Sequence, residues 1–253
     1  MAWLNIRFHS KELAMPCAMT VLLPQRLSDS TRGTVEPGPY KALYLLHGKR
    51  QNHTAWLRYS TLEKQVTGLP LAVIMPQAHL SWYSDMKYGR RYLSFISREL
   101  PALCGNMFNL SPRSEDRFIA GLSMGGYGAI KAALAEPYTF GGVMSLSGVL
   151  DIDAVYDRAD PGNIEYAIGT REEKANTPDD LFAAAKHYPK DTNSRFYVYC
   201  GTEDERLDHA RRWRDHAKGC GIQVQYSESP GAHTWDYWES CIPDMLKFAM
   251  GEG

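Results

Sequence analysis

Two alternating stretches open the chain. Residues 2–9 and 17–23 switch between polar and apolar side chains almost residue by residue, and that period of two predicts strands. Only a short connection, including Leu13 to Pro16, separates them, so they are expected to pair antiparallel. Ser28 to Pro39 is rich in Gly, Pro, Ser and Thr and predicts a surface loop. Beyond it the pattern changes. Unbroken apolar runs at Ala42–Leu46, Leu71–Met75, Phe118–Ala120, Val143–Leu146 and Phe196–Cys200 predict strands covered on both faces, as in a parallel sheet. Ile222–Tyr226 alternates again and suits an edge strand. Helical periodicity fills the gaps at about 54–66, 90–103, 125–136, 205–218 and 235–249. Alternation of this kind predicts a mostly parallel central sheet with helices on both faces. Residues 151–191 break the rhythm: they are polar and contain Pro161, Gly162, Gly169 and Pro178. That stretch is too long for a plain connection and predicts a small cap insertion, with a purely structural excursion as the alternative.

Length and composition narrow the classes. A chain of 253 residues with this rhythm fits one domain, 1–253, carrying the cap at about 151–191. The net charge of −1 favours neither nucleic acid nor an anionic membrane as partner. No apolar run approaches the ~18 residues of a membrane span, and Met1 to Ser10 lacks a signal-peptide core. The five cysteines are scattered, with no Cys-x-x-Cys pair for zinc or redox work. Free thiols in a reducing cytoplasm are the simplest account. Self-association as a homo-oligomer stays open.

The chemistry concentrates in Arg117-Phe-Ile-Ala-Gly121-Leu-Ser123-Met-Gly125-Gly-Tyr-Gly128. A short apolar strand, a Gly-x-Ser-x-Gly turn and a helix start follow one another, which is the nucleophile elbow of an α/β-hydrolase. A serine hydroxyl is a weak nucleophile. It must project from a tight turn where a base reaches it and backbone N–H groups face the developing oxyanion. Gly121 and Gly125 leave room for that turn, since a Cβ at either would strike its neighbours.

Such a serine needs a base and an orienting acid, in the chain order Ser, Asp or Glu, His. Four histidines follow Ser123: His187, His209, His216 and His233. His209 and His216 fall in a charged helical pattern and His187 in the cap segment. His233 stands in a turn between the last strand and the last helix, where a catalytic imidazole must hang. The acid should end an earlier strand. Glu203, Asp204 and Glu205 crowd after Cys200, and spacing alone does not choose among them; Asp151 and Asp153 are further candidates. Dipole considerations suit Glu203 and Glu205 to the start of the following helix. The oxyanion hole takes the N–H of Met124 and a second from the turn after an early strand, His47-Gly48-Lys49. Lys49 is the expected donor and Gly48 the alternate, with His47 bracing the loop. Trp82, Tyr83 and Trp235 flank these motifs and are expected to wall a narrow acyl pocket.

The set His47-Gly48-x-x-x-Asn52-His53, Trp82-Tyr83-x-Asp85, Gly121-Leu-Ser123-Met-Gly-Gly-Tyr-Gly128, Gly201-x-x-Asp204 and Gly231-x-His233-x-Trp235-x-x-Trp238 resembles the bacterial tributyrin esterases. These sit within the esterase D group, alongside S-formylglutathione hydrolases and carbohydrate or feruloyl esterases. The resemblance spans roughly residues 1–250. It implies an α/β-hydrolase fold and a serine carboxylesterase for short acyl groups, with Ser123 as nucleophile, Asp204 as acid and His233 as base. It implies a small-molecule ester substrate and no cofactor or metal. Lys49-Arg50 departs from the uncharged residues common after the His-Gly pair. These cations either favour a polar or anionic alcohol or simply face solvent. Thioester hydrolysis, deacylation of sugar esters with Trp82, Trp235 and Trp238 stacking on rings, and a non-enzymatic scaffold are the competing expectations.

Overall fold

The structure, a computed structural model, describes residues 1–25, 37–158 and 163–251. Most of the expected surface loop at Ser28–Pro39 lies outside the described residues, as do Pro161 and Gly162. Eight strands form one sheet: β1 (Ala2–Ser10), β2 (Met15–Leu23), β3 (Lys41–Leu46), β4 (Leu71–Pro76), β5 (Arg117–Leu122), β6 (Gly142–Leu146), β7 (Arg195–Gly201) and β8 (Val224–Ser229). Their order is β1-β2-β4-β3-β5-β6-β7-β8. The first two strands pair antiparallel from Ala2 opposite Leu23 to Ser10 opposite Met15. β2 meets β4 antiparallel, and every later pairing is parallel.

Helices cover both faces because consecutive strand residues point to opposite sides. Leu43 and Leu45 face α1 (Ala55–Tyr59), α2 (Leu62–Val66) and the C-terminal α11 (Trp235–Met250), packing with Trp56, Val66 and Ile242. Tyr44 and Leu46 face the other side. There α3 (Tyr92–Ser94), a π-type turn at Phe95–Glu99, α4 (Leu100–Met107), α5 (Met124–Ala135) and α10 (Leu207–Gly219) supply Phe95, Ile130 and Trp213. The 151–191 segment holds four short helices, α6 (Asp153–Tyr156), α7 (Ile164–Ala167), α8 (Arg171–Lys174) and α9 (Leu181–Lys186). This is the α/β-hydrolase arrangement.

Two expected helices differ in detail. The 54–66 pattern is broken at Ser60 and Thr61, where Thr61 N–H donates to the Glu239 carboxylate at 3.0 Å. The 90–103 pattern runs to Met107 and widens before Pro101, which cannot donate a helical hydrogen bond. Leu100 N–H reaches back to Phe95 O instead.

Strand order reverses at β3: the chain steps from β3 outward to β4 and then returns to β5 on β3's other flank. Crevices in open α/β sheets form outside the carboxyl ends of strands at such a reversal. The turns after β3 and β5 therefore emerge side by side, with Leu46 opposite Gly121.

Candidate active site

Ser123 sits between β5 and α5 with φ +54°, a region that costs a non-glycine residue and that tertiary contacts must enforce. Its N–H donates to Leu146 O at 2.9 Å and its carbonyl accepts from Tyr127 and Val149. A Cβ at Gly125 would come within 2.6 Å of Leu46 O, and one at Gly121 would collide with the Gly125 backbone. The elbow is thus clamped between two strands.

His233 follows β8, and its Nε2 lies 3.0 Å from Ser123 Oγ. Its Nδ1 lies 2.9 and 3.2 Å from the two carboxylate oxygens of Asp204. With Nδ1–H donated to the carboxylate, Nε2 carries the lone pair that faces the serine hydroxyl. Asp204 is buried and also accepts from Arg206 N–H at 2.9 Å. Burial pushes its carboxyl up, but the hydrogen bond and charge of His233, together with hydrogen bonds from Ser147 and the Arg206 backbone, hold it below the usual carboxylate range. Of the three crowded carboxylates, only Asp204 meets the imidazole. Glu203 and Glu205 do not serve as acids at the start of α10, which begins only at Leu207. Glu203 instead accepts from Gly231 N–H, while Glu203 N–H donates to Gly231 O at 3.0 Å, so it ties the acid loop to the histidine loop. Asp151 pairs with Arg212, and Asp153 with Lys174. His216 bonds Phe182 O, away from the serine.

His47 braces its loop as expected. Its ring is bonded to Gly48 O at 2.8 Å and accepts from Ala78 N–H at 3.0 Å. Burial drives its pKa down to about 4, so the ring is neutral near pH 7. Gly48 N–H donates to Gln51 Oε1 at 3.0 Å. Met124 opens α5, where first-turn N–H groups lack intrahelical acceptors.

A cavity of about 320 Å³ joins these parts; Gly48, Lys49, Ser123, Met124 and His233 all line it. Clefts of about 480 and 520 Å³ lie at the opposite strand ends, beside Arg195 and Arg117, away from the serine. Trp82 lines the catalytic cavity. Tyr83 and Trp235 do not. Tyr83 is fully buried, its hydroxyl donating to His47 O at 2.8 Å, so it supports the β3 turn from behind. Trp235 packs against Trp56, Tyr59 and Trp238. Trp238 takes the wall position, its ring edge-on to His233 at 5.0 Å. Val149, Val155, Arg158 and Arg206 also line it and carry no motif by which sequence could single them out. Among the described residues, no cluster of His, Cys, Asp and Glu could hold a metal ion, and no helix is long and apolar enough to cross a membrane.

The chain is 28% identical over 260 residues to the acetyl esterase of Caldicellulosiruptor saccharolyticus, with 98% of each chain covered. Among solved structures it resembles the substrate-bound fluorophosphonate-binding serine hydrolase F of Staphylococcus aureus, at 31% identity and a TM-score of 0.87. It also resembles S-formylglutathione hydrolase (FrmB) from Staphylococcus aureus, at 30% identity and a TM-score of 0.85. Both likenesses cover 98% of each chain. Residues 10–249 match a single family model, from the last residue of β1 to the last turn of α11, and the chain belongs to the Esterase family.

Proposed function

We propose that this protein is a serine carboxylesterase that hydrolyses short-chain acyl esters through an acyl-enzyme. The observation that carries the reading is the continuous Ser123–His233–Asp204 hydrogen-bond chain on the wall of a cavity. His233 Nε2 takes the serine proton as Oγ attacks the ester carbonyl. It then returns that proton to the leaving alcohol, and Asp204 holds the tautomer and steadies the imidazolium. Water repeats the cycle on the acyl-enzyme and releases the acid. The N–H groups of Met124 and Lys49 stabilise the oxyanion; Gly48 N–H is engaged by Gln51, which favours Lys49 over it. Residues 151–191 act as a cap, to which Val155 and Arg158 in the cavity wall belong. Trp82 and Trp238 narrow the cavity, which suits the small acyl groups of a tributyrin-esterase type of enzyme. The five cysteines are unpaired, in keeping with a reducing cytoplasm.

Thioester hydrolysis is the second reading, supported by the likeness to S-formylglutathione hydrolase, and the same three side chains would serve it. The test is labelling by a fluorophosphonate probe together with a p-nitrophenyl ester series. Ser123→Ala should abolish labelling and cut kcat by on the order of 10³ or more while the melting curve is kept. Wild-type rates should peak between acetate and butyrate. Unlabelled wild-type protein, or an alanine variant that retains its activity, would refute the assignment.

A further inference from the structure

Several surface arginines elsewhere are each matched by a carboxylate of their own. Arg212 has Asp151, Arg211 has Glu228, Arg214 has Asp215, and Arg171 has both Asp153 and Asp157. The wall of the catalytic cavity breaks this parity. Arg158 from the cap and Arg206 beyond the acid both reach one oxygen of Glu205, at 2.9 and 3.0 Å. Glu205 is 63% exposed, so water screens its charge, whereas the Arg206 side chain is only 6% exposed. Burial, and then the charge of Arg158, push the Arg206 pKa down. Lys49 and Arg50 line the same cavity. Among the described residues, the three arginines there, Arg50, Arg158 and Arg206, thus face one lining carboxylate, and the nearby Asp204 is occupied by His233. A concave, low-dielectric wall with excess positive charge concentrates anions.

We propose that Arg158 and Arg206 form an anion subsite that selects esters whose leaving group carries a carboxylate. This rests on the esterase reading above. The leaving oxygen must face His233, which protonates it. The arginine pair stands on that limb of the site: the backbone N–H of Arg206 bonds Asp204, the partner of His233, and Arg158 joins through Glu205. The oxyanion turn and Met124 belong to the other limb. A guanidinium matches a carboxylate in shape as well as charge.

The experiment compares kcat/KM for 4-acetoxybenzoate with that for its methyl ester. The two share the acetyl group and differ in the charge of the leaving phenol. Arg158→Gln should lower the anionic-to-neutral ratio about tenfold, chiefly through KM. Glu205→Gln, which removes the competing carboxylate, should raise the ratio severalfold. Opposite signs from two contacting residues are not what general structural damage produces. The wild-type ratio should also fall with added salt. Hydrolysis of both esters with unchanged ratios in both variants overturns the subsite. A tenfold loss seen instead for mono-p-nitrophenyl succinate against p-nitrophenyl butyrate overturns the leaving-group assignment. Hydrolysis of neither ester by wild-type protein marks failure of the esterase reading itself.

Discussion

Acidification should attack this protein first at a residue that does no chemistry. His47 is 1% exposed, and both ring nitrogens are committed, one to Gly48 O and the other to Ala78 N–H. A proton on the accepting nitrogen would set N–H against N–H in a dry site. Burial lowers its pKa from 6.5 to about 4. Between those values the unfolded chain binds a proton that the folded chain refuses, so stability falls as pH falls through the window. The full gap of about 2.5 units corresponds to roughly 3 kcal/mol, and about 2 kcal/mol is already lost at pH 5. Against a typical total of about 5–15 kcal/mol that is a large share. His53 and His79 are pushed down by burial too, so the informative comparison is with His47→Gln, whose amide can still accept from Ala78. Urea midpoints taken at pH 7.5 and 5.0 should show the wild type losing about 2 kcal/mol more than the variant. Equal losses would refute the assignment of a dry, neutral His47. Because the residue shapes the β3 turn, esterase activity should fade along the same pH course.

Asp204→Asn should reduce kcat on p-nitrophenyl acetate by on the order of 10⁴, while Glu203→Gln, which only loosens the bond to Gly231, should cost far less; the reverse ranking would reassign the acid. Lys131 is wholly buried, with Nζ 2.6 Å from Asp179, 2.6 Å from Ser84 Oγ and 2.9 Å from Trp82 O. Lys131→Met strands the Asp179 carboxylate and should cost about 3 kcal/mol in urea unfolding, with much of it restored in the Lys131→Met, Asp179→Asn double variant.

Local pattern carried much of the fold for identifiable reasons. Strands buried on both faces must be apolar throughout, so β3 to β7 stood out as runs, and the half-exposed β1 stood out by alternation. The elbow was legible because its glycines are forced by backbone contact, as the collision of a Gly125 Cβ with Leu46 O shows. Pairing order was not legible: nothing near Leu71 says that β4 lies between β2 and β3. The choice of Asp204 needed more than spacing, since three adjacent carboxylates differ only in where a turn aims them. The cavity walls failed for the same reason. Trp82 and Tyr83 are neighbours with the same φ of +53°, yet one ring lines the cavity and the other supports the loop behind it. Trp235 and Trp238 divide similarly on one helix face.

The Lys131 anchor has an architectural consequence. Ser123, Asp204 and His233 hang from the ends of β5, β7 and β8, and their spacing is a property of the sheet. The anchor joins α5 to the Trp82 loop and to Asp179 near the far end of the 151–191 segment. Tyr127 strengthens it by donating to Asp179 O. Further along, backbone bonds from Lys87 to Ala167 and from Tyr88 to Tyr166 sew that loop to the segment. The sheet ends and the 151–191 segment are therefore separate parts of the chain, joined through the buried Lys131 ammonium, Tyr127 and these backbone bonds. On the esterase reading, changes between the sewn positions should alter substrate preference while Ser123, Asp204 and His233, held by the strand ends, keep their spacing.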